Sequence, residues 1–391
     1  MKNPEKIAAH TQEYLMTHEE QMILFLKELV GMETPSDMIT SQHHILKYLK
    51  NRFEAMGYLA IHVSGKKTGG YLYARPKNRN KKLPLQLLIG HCDTVWPLGT
   101  IDNMPLIYSN GTIKGPGIYD MKAGLTQIVF ALMAIKDLNI TQKVEPIVFI
   151  NSDEEIGSRE STHALKRLAK LADRAYVLEP PLGLNGKLKT ARKGLGRFTI
   201  TVRGRAAHAG LDPGKGVNAI VELSQQVQQL YAMNDLEKGI TVNIGTIEGG
   251  ISPNVIAPLS KAVIDVRVTK EADGELITKK IKALKPFHQD VELEIEGGIG
   301  RPPMEKTPRN RLLWKMAKEQ GHELGLELEE ASAGGGSDAN TTSLYTATLD
   351  GLGTPGDGAH ATHEYILQNK LIERTALLTL LLLVEPLNKK T

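Results

Sequence analysis

The sequence contains a single cysteine, Cys92, among its 391 residues. One thiol excludes an intramolecular disulfide framework and is typical of proteins from a reducing compartment. Because Cys92 lies between His91 and Asp93, a ligand or a nucleophile is an alternative interpretation. At the end of a strand, however, alternation directs its side chain away from both neighbours, so we expect a buried structural thiol.

Long apolar runs and a strong excess of charge are also absent. The longest apolar run, Ala376 to Val384, is interrupted by Thr379 and is too short to span a bilayer. The N-terminal residues lack the apolar core of a signal peptide. The net charge of +4 is small, and no basic run with interleaved aromatic residues occurs, so we expect neither a nucleic-acid nor a membrane partner. These absences predict a cytoplasmic protein.

What is present is an alternation of short apolar strands with helices. A chain of 391 residues is too long for one ordinary core, so two domains are expected. Residues 1–192 and 305–391 predict an α/β catalytic domain, with a mixed, mostly parallel sheet between two helix layers. Residues 193–304 have the order β-α-β-β-α-β, which predicts an inserted ferredoxin-like domain.

Acidic residues or histidines follow several of the predicted strands. The carboxyl ends of strands in an open α/β sheet are where ligands bind. An imidazole combined with several carboxylates is a ligand set that suits zinc-like cations. Each residue alone is weak evidence, because adjacent acids usually mark a solvated loop, but the repetition predicts a metal site. The candidates are His91, Asp93, Asp120, Glu154, Glu155, Glu179 and His360, with His363 as an alternative to His360.

The motifs around these residues resemble those of a known superfamily. They are GHCDTVWP, GPGIYDMKAG, NSDEEIGS, LEP, GRAAHAGLDPGKGVNA and GAHATHE, and they extend from about residue 90 to 364. The chain resembles the two-metal exopeptidases and deacylases, which include glutamate carboxypeptidase, aminoacylase, acetylornithine deacetylase and succinyl-diaminopimelate desuccinylase. The residues in these motifs are most similar to those of the glutamate carboxypeptidase branch. The resemblance implies a zinc-exopeptidase-like three-layer catalytic domain with an inserted dimerisation or lid domain.

The resemblance implies two Zn²⁺ ions per subunit, with Mn²⁺ or Co²⁺ as alternatives, about 3.5 Å apart. Asp120 would bridge the ions. His91 and Glu179 would complete one site, and Glu155 and His360 the other. The resemblance also implies a cis peptide bond from Asp120 to Met121. Ala123 departs from the glycine that the branch often has there, but a small side chain is retained.

The same resemblance assigns three residues to the chemistry. Glu154 would be the general base that takes a proton from water and returns it to the leaving amine. Asp93 would bond the free ring nitrogen of His91 and raise its basicity, with a turn residue as the alternative. His208 resembles a histidine that reaches across a dimer interface and stabilises the oxyanion in the neighbouring subunit.

Residues in and after the inserted domain match positions that bind the substrate's free carboxylate. Asn254 and Arg267 are the side chains, and the planar guanidinium suits two bonds to a carboxylate. A salt bridge on a half-exposed strand is the alternative for Arg267. The run Gly334–Gly336 with Ser337 offers N–H groups of the backbone, of which we expect Gly335, Gly336 and Ser337 to contribute. A flexible turn is the alternative, and the lysine of a phosphate loop is absent.

The sequence thus predicts a homodimeric two-metal hydrolase that releases a C-terminal amino acid with a free carboxylate, from a small peptide or an N-acyl amino acid. A deacylase of N-acyl amino acids would use the same ligands. Two further classes are a catalytically idle metal- or peptide-binding protein on this fold, and a metal-free transport or regulatory protein. The first is disfavoured because the base and all five candidate ligands are present, and the second because it would not need carboxylates at successive strand ends.

Overall fold

The computed structural model describes residues 4–387, and its chain forms two compact units. The larger unit consists of the residues up to Thr190 together with 306–332 and the residues from Ser337 onward. The smaller unit consists of Ala191–Glu305 and Ala333–Gly336. Our predicted domain borders were 192/193 and 304/305, and the prediction did not include the return of residues 333–336 to the smaller unit.

Strands and helices alternate along the chain in both units. In chain order the strands are β1 Tyr58–Val63, β2 Tyr71–Pro76, β3 Leu85–His91, β4 Ile107–Ser109, β5 Thr112–Lys114, β6 Glu145–Asn151, β7 Ala172–Val177, β8 Leu188–Arg192, β9 Gly194–Arg203, β10 Thr241–Gly249, β11 Leu259–Val268, β12 Glu292–Arg301, β13 Glu330–Ala333, β14 Ala347–Leu349, β15 Gly356–Asp357 and β16 Tyr365–Leu367. The helices are α1 Pro4–Thr17, α2 Glu19–Gly31, α3 Ile39–Ala55, α4 Thr100–Asn103, α5 Ala123–Asp137, α6 Thr162–Leu171, α7 Ala219–Tyr231, α8 Glu271–Lys282, α9 Pro308–Glu323, α10 Asp338–Thr342 and α11 Gln368–Leu381.

The main sheet of the larger unit is mixed and has six strands, in the order β1-β2-β6-β3-β7-β14. β3 lies parallel to both β6 and β7, and β7 is parallel to β14. The predicted α/β architecture is therefore confirmed. Every residue of β3 after Leu85 is buried, as expected for a central parallel strand.

Helix α5 is buried within this unit, and this burial accounts for the strongly apolar sequence of the segment. The stretch Ile118–Asp137, which includes α5, is long and apolar enough to cross a membrane, but 89% of its most apolar window is buried inside the protein. Gly124 permits close packing, because a Cβ there would lie 2.2 Å from the carbonyl oxygen of Leu178. The segment behaves as a core helix.

Some predicted elements need correction. The sequence pattern predicts a last helix over Glu364–Val384, but α11 begins at Gln368 because β16 precedes it and pairs with β5 and β15. These three strands and β4 form a small antiparallel sheet that we did not predict. Its strands have two or three residues each, which is too short for a period of two to be recognised.

The smaller unit has its own sheet and core. The strand order is β10-β11-β9-β12, and all pairs are antiparallel. With α7 after the first strand and α8 after the third, this is the predicted ferredoxin-like arrangement. The helix α7 begins at Asn218, whose side chain accepts hydrogen bonds from the N–H groups of Ile220 and Val221.

Candidate metal centre

Three neighbouring parallel strands of the larger unit deliver side chains to one edge of the sheet. β3 ends at His91, whose side chain is almost completely buried. β6 is followed by the turn that contains Glu155, and β7 is followed by Glu179. Because these strands are parallel and adjacent, their carboxyl ends lie at the same edge.

Asp120 lies between two histidines and contacts each with a different oxygen. Its Oδ1 is 3.1 Å from Nε2 of His91, and its Oδ2 is 3.6 Å from Nε2 of His360. The peptide bond from Asp120 to Met121 is cis, as the resemblance implied. A carboxylate with one oxygen toward each imidazole has the arrangement of a bridging ligand.

Each histidine also faces a second carboxylate. Nε2 of His91 is 3.5 Å from Oε1 of Glu179, and Nε2 of His360 is 3.1 Å from Oε2 of Glu155. In the part of the chain that the structure describes, two groups of three residues bring ligand atoms within 4.8 Å of one another. They are His91, Asp120 and Glu179, and Asp120, Glu155 and His360. His363 is exposed and belongs to neither group.

The donor set and its spacing fit two small divalent cations. Two donors at zinc-like bond lengths and a tetrahedral angle lie about 3.4 Å apart, and the four separations given above lie between 3.1 and 3.6 Å. Three carboxylates also balance most of the charge of two divalent ions, with neutral imidazoles completing the set. The residues therefore fit the ions that the resemblance implies.

The electrostatics of the cluster reflect this concentration of acids. Hydrogen bonds that Asp120 and Glu155 accept from the imidazole raise the pKa of His360 to about 10. Burial opposes the charged form of His91, but hydrogen bonds with Asp120, Asp93 and Glu179 raise its pKa well above the usual value. Burial raises the pKa of Glu155. A histidine has to be neutral at the nitrogen that binds a metal ion, so ion binding at such a cluster is coupled to proton release.

The backbone at His360 is unusual for a residue with a side chain. Its φ is 62°, in the left-handed region. Such a conformation costs on the order of 1 kcal/mol for a residue other than glycine and is concentrated at functional sites. It directs the ring toward Glu155, so local backbone strain accompanies the ligand geometry.

Asp93 has a wider role than the bond to His91 that we predicted. Nδ1 of His91 is 3.0 Å from the backbone carbonyl oxygen of Asp93 and 3.4 Å from its carboxylate. The two carboxylate oxygens accept hydrogen bonds from the N–H groups of Glu154 and Glu155, each at 3.2 Å. The hydroxyl of Ser36, which sequence reasoning missed, donates to the same carboxylate at 2.7 Å. Asp93 thus holds the turn that carries both glutamates.

Glu154 lies beside Glu155 on this turn and is half-buried. It belongs to neither of the two ligand groups. Its role as general base stays a prediction. Cys92 is a free, fully buried thiol, as expected.

Two of the candidate residues of the smaller unit lie together. His208 and Val255 form an isolated bridge, and the N–H of Ala209 donates to the carbonyl of Asn254 at 2.9 Å. Nδ1 of His208 accepts hydrogen bonds from the N–H groups of Gly210 and Leu211, each at 3.1 Å. These bonds fix the tautomer with the proton on Nε2, which is the form that can donate to an oxyanion.

Arg267 lies at the far end of the strand that follows Asn254. It is the ninth residue of β11, whose first residue is Leu259, so the two ends are separated by about 25 Å. Asn254 and Arg267 of one chain therefore do not grip the same substrate carboxylate, and our prediction needs this correction. One chain provides two separate sets of candidate contacts.

The contacts of Arg267 include the salt bridge of the alternative interpretation and are also compatible with the predicted binding of a carboxylate. Its Nε and Nη2 donate to the carboxylate of Asp265 at 2.7 and 3.1 Å, which is the salt bridge of the alternative interpretation. Its Nη1 donates to the carbonyl of Gly334 at 3.2 Å. One N–H on each terminal nitrogen still remains for a substrate.

Arg192, which sequence reasoning missed, fixes the rest of the glycine loop. It is buried, and its Nη1 donates to the carbonyls of Gly335 and Gly336 at 3.1 and 3.2 Å. With three successive carbonyls bonded to arginines, the loop is ordered, and a plain flexible turn no longer describes it. A basic residue at the last position of β8 was the available signal.

Ser337 does not fit the predicted substrate-binding role. Its side chain is fully buried, and its hydroxyl donates to Asp350 and accepts from the N–H of Ala339. Its own N–H donates to the side chain of Asn340. Ser337 is therefore the N-cap of α10, in a capping box that leaves its hydroxyl and its N–H occupied.

Comparisons with known proteins agree with the resemblance drawn from the motifs. Residues 190–286 match the peptidase dimerisation domain. Carboxypeptidase G2 of Pseudomonas is 28% identical over 88% of this chain and 84% of its own length. Acetylornithine deacetylase of Myxococcus xanthus is 24% identical over 90% of this chain and 94% of its own.

Solved structures share the fold over nearly the whole chain. Aminopeptidase PepT from Bacillus cereus has a TM-score of 0.80 at 22% identity, covering 93% of this chain and 98% of its own. The YXEP protein of Bacillus subtilis, described as a dinuclear metal-binding peptidase of the M20 family, has a TM-score of 0.70 at 16% identity, covering 94% and 98%. The chain is thus an enzyme related to the M20 peptidases and amidohydrolases. Its fold is similar to theirs, and residues 190–286 match the peptidase dimerisation domain.

Proposed function

We propose that this protein is a two-metal carboxypeptidase that removes a C-terminal amino acid, with N-acyl or peptidyl glutamate as the leading substrate. The observation that carries the metal assignment is Asp120, whose two carboxylate oxygens each face a different histidine. The five ligands would hold two divalent cations, which would supply Lewis-acid polarisation of the scissile carbonyl and lower the pKa of a water molecule. Zinc is the proposed metal because histidine with carboxylates suits it.

Glu154 is the proposed general base. It accepts a proton from the attacking water as the new C–O bond forms at the carbonyl carbon, and it returns that proton to the amide nitrogen as the C–N bond breaks. The hydrogen bonds from the turn to Asp93 hold the peptide units of both glutamates, so the base keeps its position relative to Glu155. Water and amide are converted into a carboxylic acid and an amine, without any other reactant.

His208 and Asn254 are proposed to act together on the substrate oxygen that gains charge, since they occupy one end of β11. Arg267 and the N–H groups of Gly335 and Gly336 are proposed to bind the C-terminal carboxylate. Because the two sets lie about 25 Å apart in one chain, we propose that a second protomer supplies His208 and Asn254.

The homodimer that this requires is supported by the surface of the smaller unit as well as by the matched domain. β10 is an edge strand, and Ile247 on it is 58% exposed. On the neighbouring helix α7, Val221 is 55% exposed. Exposed apolar side chains beside an unpaired strand edge are typical of an interface. We also propose a cytoplasmic location, from the single cysteine.

A deacylase of N-acyl amino acids is the second candidate. The acetylornithine deacetylase of Myxococcus xanthus matches 90% of this chain. Such an enzyme would use the same ligands and base, and it would differ in the side chain that it accepts next to the free carboxylate.

A substrate panel with metal control tests the proposal. The protein is stripped with a chelator, reloaded with Zn²⁺, and assayed on an N-acyl glutamate, its C-terminal amide, N-acetylornithine and dipeptides. We expect hydrolysis that disappears with chelation and returns with Zn²⁺, with the highest kcat/KM for the free glutamate. A preference for N-acetylornithine would favour the deacylase. Hydrolysis that is indifferent to chelator would refute the metal mechanism.

A further inference from the structure

The carboxylate of Glu364 is fully buried and accepts four N–H hydrogen bonds. Its Oε2 accepts from the indole of Trp96 at 2.9 Å and from the backbone of Gly117 at 2.8 Å. Its Oε1 accepts from the backbone N–H groups of Tyr119 at 2.9 Å and Asp120 at 3.1 Å. One side chain thus fixes two peptide groups of the segment that ends in the shared ligand, together with the N–H of that ligand itself.

The donors come from segments that each carry a candidate metal ligand. Trp96 follows His91 by five residues, and Glu364 follows His360 by four. The backbone of Glu364 adds to the same connection, because its carbonyl accepts from the N–H of Gly115 at 3.2 Å and its N–H donates to Ala361 at 3.0 Å. Three segments that are remote in sequence are joined at one carboxylate.

Four N–H dipoles point at this buried carboxylate. The buried Lys122, whose ammonium donates to the carbonyl of Met32 at 2.9 Å, also interacts with it electrostatically but gives it no hydrogen bond of its own among the contacts described. A carboxylate that accepts several backbone N–H groups is satisfied only while those peptide units keep their orientation. The orientation of the 117–120 segment and the position of the Glu364 carboxylate therefore depend on each other.

We propose that Glu364 is a positioning residue for the metal centre, which holds the carboxylate of Asp120 between His91 and His360 so that one ligand serves both ion sites. This inference rests on the proposed two-metal centre, but it does not depend on the substrate. Since Asp120 is shared, loss of the Glu364 carboxylate disturbs both ion sites together.

The experiment must separate positioning from ordinary stabilisation, and the chain offers a matched control. Glu160 also accepts backbone N–H groups of a turn, from Lys66, Lys67 and Thr68 at 3.0 to 3.1 Å. None of the residues of that turn belongs to a ligand group. Glu160→Gln therefore removes the same kind of bonding from a loop that holds no ligand.

Binding of Zn²⁺ to the apoprotein is measured by competition with a chromophoric chelator, alongside thermal unfolding of the apo forms. We expect Glu364→Gln, which places an amide N–H₂ against backbone donors, to weaken both binding events by about 10- to 100-fold. His360→Ala is expected to weaken chiefly one event. Glu160→Gln is expected to lower the apo unfolding temperature without changing the affinity for Zn²⁺.

A second variant keeps the test decisive if Glu364→Gln does not fold. Trp96→Phe removes only the indole N–H and keeps an aromatic ring, and it is expected to weaken both events by a smaller factor. The inference is overturned if Glu364→Gln folds and binds both ions with the wild-type affinity. If Glu364→Gln does not fold, the same result for Trp96→Phe overturns it. A wild-type protein that binds no Zn²⁺ overturns it as well. Two bound ions without hydrolysis of any substrate would instead refute only the proposed function.

Discussion

The ligand cluster of the larger unit and the candidate substrate residues of the smaller unit differ in how they are held. His91, Glu179 and Glu155 have side chains that are at most 9% exposed, and each has its position set by a strand end or a bonded turn. His208 is exposed, and Arg267 is one-third exposed. The first group is complete within one chain, whereas the second is spread over two ends of a strand.

This difference follows from what each group has to bind. A pair of small cations requires several charged ligands at fixed separations, and those ligands are oriented by further hydrogen bonds. An extended substrate is bound at several distant points, and those contacts have to stay open to solvent until it arrives. Variants in the two units should therefore fail in different ways.

Asp120→Asn is expected to have the largest effect. The amide cannot serve two ions as a shared anionic ligand, so both ions are lost and hydrolysis falls to background, on the order of 10⁶-fold or more. Metal content and kcat/KM are the measurements. A protein that kept one ion at full occupancy would show that the two ligand groups are independent, against the shared arrangement described here.

Glu154→Gln should come next and should separate chemistry from metal binding. We expect kcat to fall by about 10²- to 10⁴-fold, because a neutral amide cannot accept the proton of water. Both ions and KM should be retained. The matched variant is the neighbour, Glu155→Gln, which is expected to lose affinity for one ion. If Glu154→Gln stays fully active, the assigned base is wrong.

His208→Ala tests the smaller unit. We expect kcat to fall by about 10²- to 10³-fold, as for loss of one oxyanion donor, with the metal content unchanged. Mixed dimers with Glu154→Gln then show which protomer it serves. If His208 acts on its partner, random mixing restores about a quarter of the wild-type sites, since half of the dimers are mixed and each has one intact site. If it acts within its own chain, no activity returns.

The sequence was sufficient where long elements repeat a pattern. Hydrophobic periodicity indicates buried parallel strands such as β3 and also the β-α-β-β-α-β order. The fold class and the inserted domain could therefore be predicted. The strand-end rule also led to His91, Glu155 and Glu179, because strand direction decides which edge of the sheet these residues reach. Asp120 and His360 lie outside the strands, and their ligand roles came from the motifs.

The sequence was insufficient where a residue's role depends on its bonding partners. Ser337 follows three glycines and resembled a ligand-binding residue, but its hydroxyl caps a short helix. The partners of Glu364 are mostly backbone N–H groups, which carry no sequence signature. The separation of Asn254 from Arg267 could have been predicted, because the strand that divides them was visible in the sequence.

Arg267→Lys should have the smallest effect on hydrolysis. It most directly tests the difference between the metal ligands and the substrate-binding residues, because it should change KM only. Lysine keeps the charge but loses the planar fork, so we expect KM for a substrate with a free C-terminal carboxylate to rise by about tenfold, with kcat nearly unchanged. The control is the same substrate with its C-terminus amidated, for which wild type and variant should be equally poor. An equal loss on both substrates would mean that Arg267, paired with Asp265 and bonded to Gly334, supports the loop and does not bind the carboxylate.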